Sequence, residues 1–276
     1  MGSRCSCGLQ AWVAGVNLGA GCLHVAQTIA MIVLLQTRFA GQGWWILYVD
    51  GVEHPFRMAW LLPFFTGISG VAALVVWWRT RRGMQLRKRR RLVNTVLWIE
   101  YSVSSAACLW VVCIQCGIDA LWKLLLESAA NVLLMYTGYR SELAMYRANK
   151  AVLRTDPGSV NLQYTVPREA LAWFWFGTAL FTAMFVPIWY YFFERATRPG
   201  VPDAVLVIIP VITLLYISFG FAAAYYLNAF RLCAFKEPLA SRFDKTRLTY
   251  AILSFSVKSF LAWFVLFGAL RDPRAA

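Results

Sequence analysis

Charge is scarce in this chain, and acidic charge is scarcest. Only 14% of its 276 residues are charged, with 13 Asp and Glu against 27 Lys and Arg, while 60% are hydrophobic. A mean hydropathy of +0.56 excludes an ordinary soluble globular protein. Internal repeats and low-complexity tracts are absent, which excludes solenoids and disordered linkers. The seven cysteines have no metal-ligand spacing and read as small apolar residues in helices. A cleavable signal sequence is also lacking, because Trp12–Thr37 is too long and has no small-residue cleavage site.

What is present is a series of apolar spans. Seven stretches reach membrane-helix length: residues 11–37, 57–78, 92–116, 121–139, 169–193, 204–230 and 248–270. The connections are too short for a second domain. The expected fold is an all-α membrane protein, one rhodopsin-like bundle of seven transmembrane helices.

A net charge of +14 raises the question of nucleic acid, but its distribution argues against that. The connection between spans two and three, Arg79–Arg91, carries eight basic residues and no acid. Basic excess recurs after span four (Arg140, Arg147, Lys150, Arg154, Arg168) and after span six (Arg231, Lys236, Arg242, Lys245, Arg247). The other connections are nearly balanced. By the positive-inside rule the basic connections face the cytoplasm, so the N-terminus is inside and the C-terminus outside. The basic runs are thus a topology signal with added affinity for anionic lipid. Gly2 and Ser6 fit a weak myristoylation pattern, and Cys5 and Cys7 are candidate palmitoylation sites. A seven-helix protein needs no such anchor.

Within the spans, one lysine stands apart. Lys258 lies in the middle of Leu248–Leu270, with no charged neighbour in sequence nearer than Arg247 or Arg271. A central intramembrane charge is costly and marks a functional site with a partner. Glu100, inside Leu92–Cys116, is the natural partner. Both helices enter from the same side, and at 1.5 Å per residue Glu100 lies about 12 Å past Leu92 and Lys258 about 15 Å past Leu248. An isolated amine level with an isolated carboxylate is the pattern of a Schiff-base lysine and its counterion, which points to retinal. A plain buried salt bridge in a transporter is the alternative.

Polar residues cluster at similar depth. His24 and Gln27 share a face of helix one, Ser69 lies on helix two, and Tyr101, Ser102 and Ser104 flank Glu100. Asn131 lies on helix four, and Ser254 is one turn before Lys258. Helices five and six are rich in aromatics, most of them packing or interface residues. Of these two helices, Pro187, Tyr216 and Phe219 are the candidates for chromophore contact. Gly138 leaves room either for a polyene or for a neighbouring helix. Glu127 and Glu194, toward the outer side, are candidate groups on a proton path, or else an interface contact and a helix-end charge.

The segments WIEYSVSS (Trp98–Ser105) and SFSVKSFLAWFVLF (Ser254–Phe267) resemble the counterion and retinal-lysine segments of heliorhodopsins. HVAQ (His24–Gln27) matches that family's polar pair on helix one, and Asn131, Gly138 and Glu142 fall at its spacing from Glu100. The inverted orientation read from the basic loops agrees with the family. The resemblance implies all-trans retinal on Lys258, Glu100 as counterion, an extracellular β-hairpin between helices one and two, and a homodimer. Gly41–Gly51 has the aromatic and β-branched content for that hairpin. One departure is the absence of a second pocket histidine around Ser69–Ala73. The function expected is photosensory, in a plasma or host-cell membrane, with an unidentified cytoplasmic signalling partner, and without ion pumping. Helix three has one carboxylate at the pair and no core arginine, unlike a typical outward proton pump. The competing expectations are a light-activated proton transporter or channel, and a retinal-free transporter or receptor.

Overall fold

The computed structural model describes residues 2–40, 44–85, 94–148, 166–198, 203–227 and 239–269. Most of the basic connecting segments, and the side chains of Cys5 and Cys7, lie outside that description. The described residues form seven α-helices: α1 Gly2–Thr37, α2 Leu61–Gln85, α3 Thr95–Gln115, α4 Leu121–Ala148, α5 Arg168–Ala196, α6 Asp203–Leu227 and α7 Leu239–Phe264. A 3-10 turn, Met58–Trp60, leads into α2, and a π-helical turn, Val265–Ala269, ends α7.

Among the described residues, six helical segments are long and apolar enough to cross a membrane. The other, α4, carries Lys123, Glu127, Arg140, Glu142 and Arg147, which lower its hydropathy. It still packs between α3 and α5 as a full member of the bundle. Several helices overrun the expected spans. α4 continues to Ala148 rather than 139, and α7 starts at Leu239 rather than 248. Hydropathy reports only the apolar part of a helix, whereas backbone hydrogen bonding continues beyond it.

The hairpin forms between Trp44–Val49 (β1) and Val52–Arg57 (β2), paired antiparallel with Val49 opposite Val52. Its two-residue turn is Asp50-Gly51, with φ of 51° and 81°. Asp-Gly with both φ positive is the preferred turn for a twisted two-residue hairpin. Leu47 points into the core, while Ile46 and Tyr48 are exposed. The Tyr48 N–H donates to the Asp119 carbonyl at 3.1 Å, tying the hairpin to the α3–α4 connection. Arg57 Nη2 donates to the carbonyls of Leu35 and Phe39 at 3.0 and 2.8 Å, tying it to the end of α1.

The bundle therefore has a hairpin end and a far end. α1 packs on α2 and α7, α2 on α3, α4 on α3 and α5, and α6 on α7. Gly70 lets α1 and α2 approach closely, since a Cβ there would lie 3.2 Å from the Val25 nitrogen. The core is densest toward the hairpin end, where Met31, Leu35, Met58, Leu62, Leu109 and Ile114 are almost fully buried.

Candidate functional site

Lys258 Nζ donates to Glu100 Oε1 across the middle of the bundle. Both side chains are 5% exposed. Two hydroxyls converge on the same oxygen: Ser69 Oγ from α2 at 2.6 Å and Ser104 Oγ from the next turn of α3 at 2.7 Å. A carboxylate accepting several hydrogen bonds can stay ionised away from water, and the paired amine balances its charge. Removing either partner would strand the other.

On the α1 side, His24 Nδ1 and Gln27 Oε1 are 3.1 Å apart. An amide oxygen can only accept, so this contact places the proton on Nδ1. Gln27 Nε2 then donates to Ser259 Oγ at 3.0 Å, linking α1 to the residue after Lys258. His24 is buried, packs its ring on Phe255 at 5.0 Å, and lies within electrostatic reach of both Lys258 and Glu100.

On the other side of Lys258 a cavity of about 430 Å³ opens among α3, α4, α5, α6 and α7. That is an ordinary volume for a small-molecule site. Lys258 and Val257 stand at one end, with Tyr101, Ser105, Cys108, Leu134, Phe181, Tyr216 and Phe219 along the walls. The Tyr101 ring lies 5.2 Å from Lys258 Nζ, within cation–π range, and its hydroxyl donates to the Tyr250 carbonyl at 3.4 Å. Phe219 stacks on Tyr250 at 5.7 Å. A long apolar chromophore bearing one aldehyde fits these residues: an apolar aromatic slot with a single amine at its end.

The structure thus brings together two groups of the sequence-selected residues. Ser69, Ser104, His24 and Gln27 surround the charged pair, whereas Tyr101, Ser254, Gly138, Tyr216 and Phe219 line the cavity. Asn131 sits just behind the wall and donates to Ser105 Oγ at 2.8 Å. Pro187 is part-buried within α5 and does not line the cavity. Glu194 is in a surface ion pair with Arg198 at 2.5 Å. Glu127 is half-buried in α4, and its Oε2 has no hydrogen-bond partner among the described residues. Gly138 makes room for Trp98, since a Cβ there would fall 2.3 Å from Cη2 of that ring.

Three residues escape a reading of sequence alone. Ser259 follows Lys258 directly but looks like any small helix residue. Ser105 lines the cavity and bonds Asn131 of α4, a contact between two helices that sequence does not show. Gln115 is completely buried, and neither amide atom has a partner among the described residues. Its position was the available signal. Glu100, Ser104, Ala107, Val111 and Gln115 fall on one stripe of α3, so Gln115 faces the interior.

Comparison with known proteins now decides the family. The heliorhodopsin family model matches residues 13–270. The chain belongs to the heliorhodopsin family. Among solved structures, this heliorhodopsin is similar to cyanorhodopsin N2098R from the cyanobacterium Calothrix sp. NIES-2098. The TM-score is 0.63 at 12% identity, with 97% of this chain and 98% of that chain covered. At that identity the likeness speaks for the fold alone. No curated protein matches. Family and fold together make the chain an integral membrane, retinal-binding, light-sensing rhodopsin.

Proposed function

We propose that this heliorhodopsin is a photosensory receptor that holds all-trans retinal on Lys258, with Glu100 as counterion, and does not pump ions. The observation that carries the reading is the single buried amine facing a hydroxyl-supported carboxylate on one side and an apolar cavity on the other. Bound as a Schiff base, retinal supplies absorption of visible light and a double bond that isomerises.

The rest is the work of the chain. The Lys258 ammonium stands in for the nitrogen that would carry one proton toward Glu100 Oε1. Ser69 and Ser104 hold that oxygen in place, and Tyr101 offers its ring face to the cation. Turning the nitrogen toward the cavity would break its contact with Glu100 and leave two buried charges separated at high cost. Relief of that cost is a drive for helix movement. With the N-terminus cytoplasmic, the far end of the bundle is the cytoplasmic end, and α5 and α6 are candidate outputs toward a signalling partner. The exposed apolar face of α4, with Trp122, Leu125, Leu126, Val132 and Leu133, is suited to lipid or to a second copy in a homodimer.

A second reading is a light-activated proton transporter or channel. The observation favouring it is Glu127 Oε2, within the outer half of α4 and without a hydrogen-bond partner among the described residues. Glu194 contributes less, because Arg198 already engages it.

Expression with all-trans retinal followed by voltage clamp under illumination tests both. A visible pigment without sustained current is the expected result. No pigment would overturn the retinal assignment, and a sustained current would favour the second reading.

A further inference from the structure

α4 grips the Trp98 ring at two points. Trp98 Nε1 donates to Glu142 Oε2 at 2.5 Å. One turn earlier on α4, Gly138 lies against the ring itself, with no room for a Cβ. Glu142 thus reaches across from α4 to hold a tryptophan in the first turn of α3.

Trp98 leads back to the charged pair. Its ring meets Tyr101 edge-on at 6.2 Å and Tyr250 at 6.4 Å. Tyr101 in turn faces Lys258. Glu142, Trp98, Tyr101 and Tyr250 all line the cavity. A continuous wall thus runs from the far-end start of α3 to the lysine.

We propose that Glu142 is a positioning residue for the photoreaction: through Trp98 it fixes the cavity wall that Tyr101 continues to Lys258. The proposal rests on retinal being held at Lys258. An indole ring pinned at its nitrogen and packed against Gly138 at its six-membered ring cannot rotate aside when the chromophore changes shape. The push is passed to α4 and to the start of α3. Without the carboxyl, the ring is held by packing alone, the wall yields, and the strain is lost locally.

The test is flash photolysis of the purified pigment regenerated with all-trans retinal. Glu142→Leu removes the acceptor, Glu142→Gln keeps one, and Trp98→Phe keeps a ring without the donor. In Glu142→Leu and in Trp98→Phe, the slowest phase of recovery of the dark spectrum changes by about fivefold or more, the scale of one lost buried hydrogen bond. Glu142→Gln stays close to wild type. The double variant matches Trp98→Phe alone, because both changes cut the same contact. A merely structural role would lower thermal stability while leaving recovery unmoved. Normal pigment with unchanged recovery in Glu142→Leu overturns the proposal and leaves the retinal assignment intact, as do additive effects in the double variant. Where Glu142→Leu fails to fold, Trp98→Phe carries the same test. A wild-type chain that forms no pigment removes the retinal assignment and this proposal together.

Discussion

Ser69 and Lys258 share one acceptor, Oε1 of Glu100, reached from α2 and from α7 respectively. Ser104 completes the set from α3. Three helices are thus joined at a single oxygen, and two neutral hydroxyls fix the position of the carboxylate beside the amine.

Replacing Lys258 tests the attachment point. Lys258→Ala should reach the membrane but form no visible pigment with all-trans retinal. Its partner would be left as an unpaired buried carboxyl, so stability should also fall by about 3–5 kcal/mol. Absorption spectroscopy of the purified variant decides the first point, and thermal denaturation the second. A normal visible band in Lys258→Ala would show that retinal is held elsewhere.

Glu100→Gln tests the counterion. A negative charge near the nitrogen stabilises the cationic ground state more than the excited state, whose positive charge moves along the polyene. Without it the band moves to the red if the nitrogen keeps its proton. If the proton is lost, because an unpaired cation is costly in low dielectric, the band falls into the near-ultraviolet. Either change supports the assignment. An identical spectrum from Glu100→Gln and wild type across a pH series removes it.

The charged pair and its helices could be read in the sequence because both depend on local composition. A lysine with apolar residues for many positions on either side is conspicuous, and depth follows from counting residues. Ser69 stands out by its depth and Ser104 by its place one turn from Glu100, and both reach that carboxyl. Pro187, a candidate chromophore contact on an aromatic helix, lies off the cavity because position along a helix says nothing about its rotation, and Glu194, a candidate on an outer proton path, is held in a surface ion pair. The grip of Gly138 and Glu142 on Trp98 was hidden because it needs the spacing between two helices. Sequence could offer only two readings for Gly138, a place for the polyene or a helix contact. The structure puts a tryptophan ring there.

Ser69→Ala and Ser104→Ala should each move the visible band in the direction set by Glu100→Gln, but less far. Each removes one hydrogen bond to a charged group, on the order of 1.5–3 kcal/mol, while Lys258 and the other hydroxyl remain. The double variant should move it further than either single one. The comparison needs only absorption maxima at a fixed pH. Single variants identical to wild type would mean that these hydroxyls support the helix packing and not the charge.

Gly138→Val should displace Trp98. The ring already lies where the new side chain must go, and backbone-linked atoms cannot swing away. Overpacking of this kind costs about 1–3 kcal/mol. The variant should bind retinal more slowly and melt at lower temperature. Gly138→Val combined with Trp98→Ala should recover part of the loss, since the small residue restores room. Measured melting temperatures of the two variants settle it, and no recovery in the pair would place the clash elsewhere.

Illumination should drive no sustained outward current at zero voltage and symmetric pH. The stripe of α3 that carries Glu100 explains why. Beyond Ser104, toward the hairpin end, its buried residues are Ala107 and Val111 before Gln115 is reached. Gln115 lies about 22 Å along the axis from Glu100. A proton leaving the pair in that direction along α3 meets apolar side chains where a relay would need hydroxyls, carboxyls or water. Glu127, within the outer half of α4, lies on a different helix from that stripe. Whole-cell voltage clamp is the measurement. A steady outward current would show that the apolar block opens in the light, and its loss in Glu127→Gln would route the proton along α4.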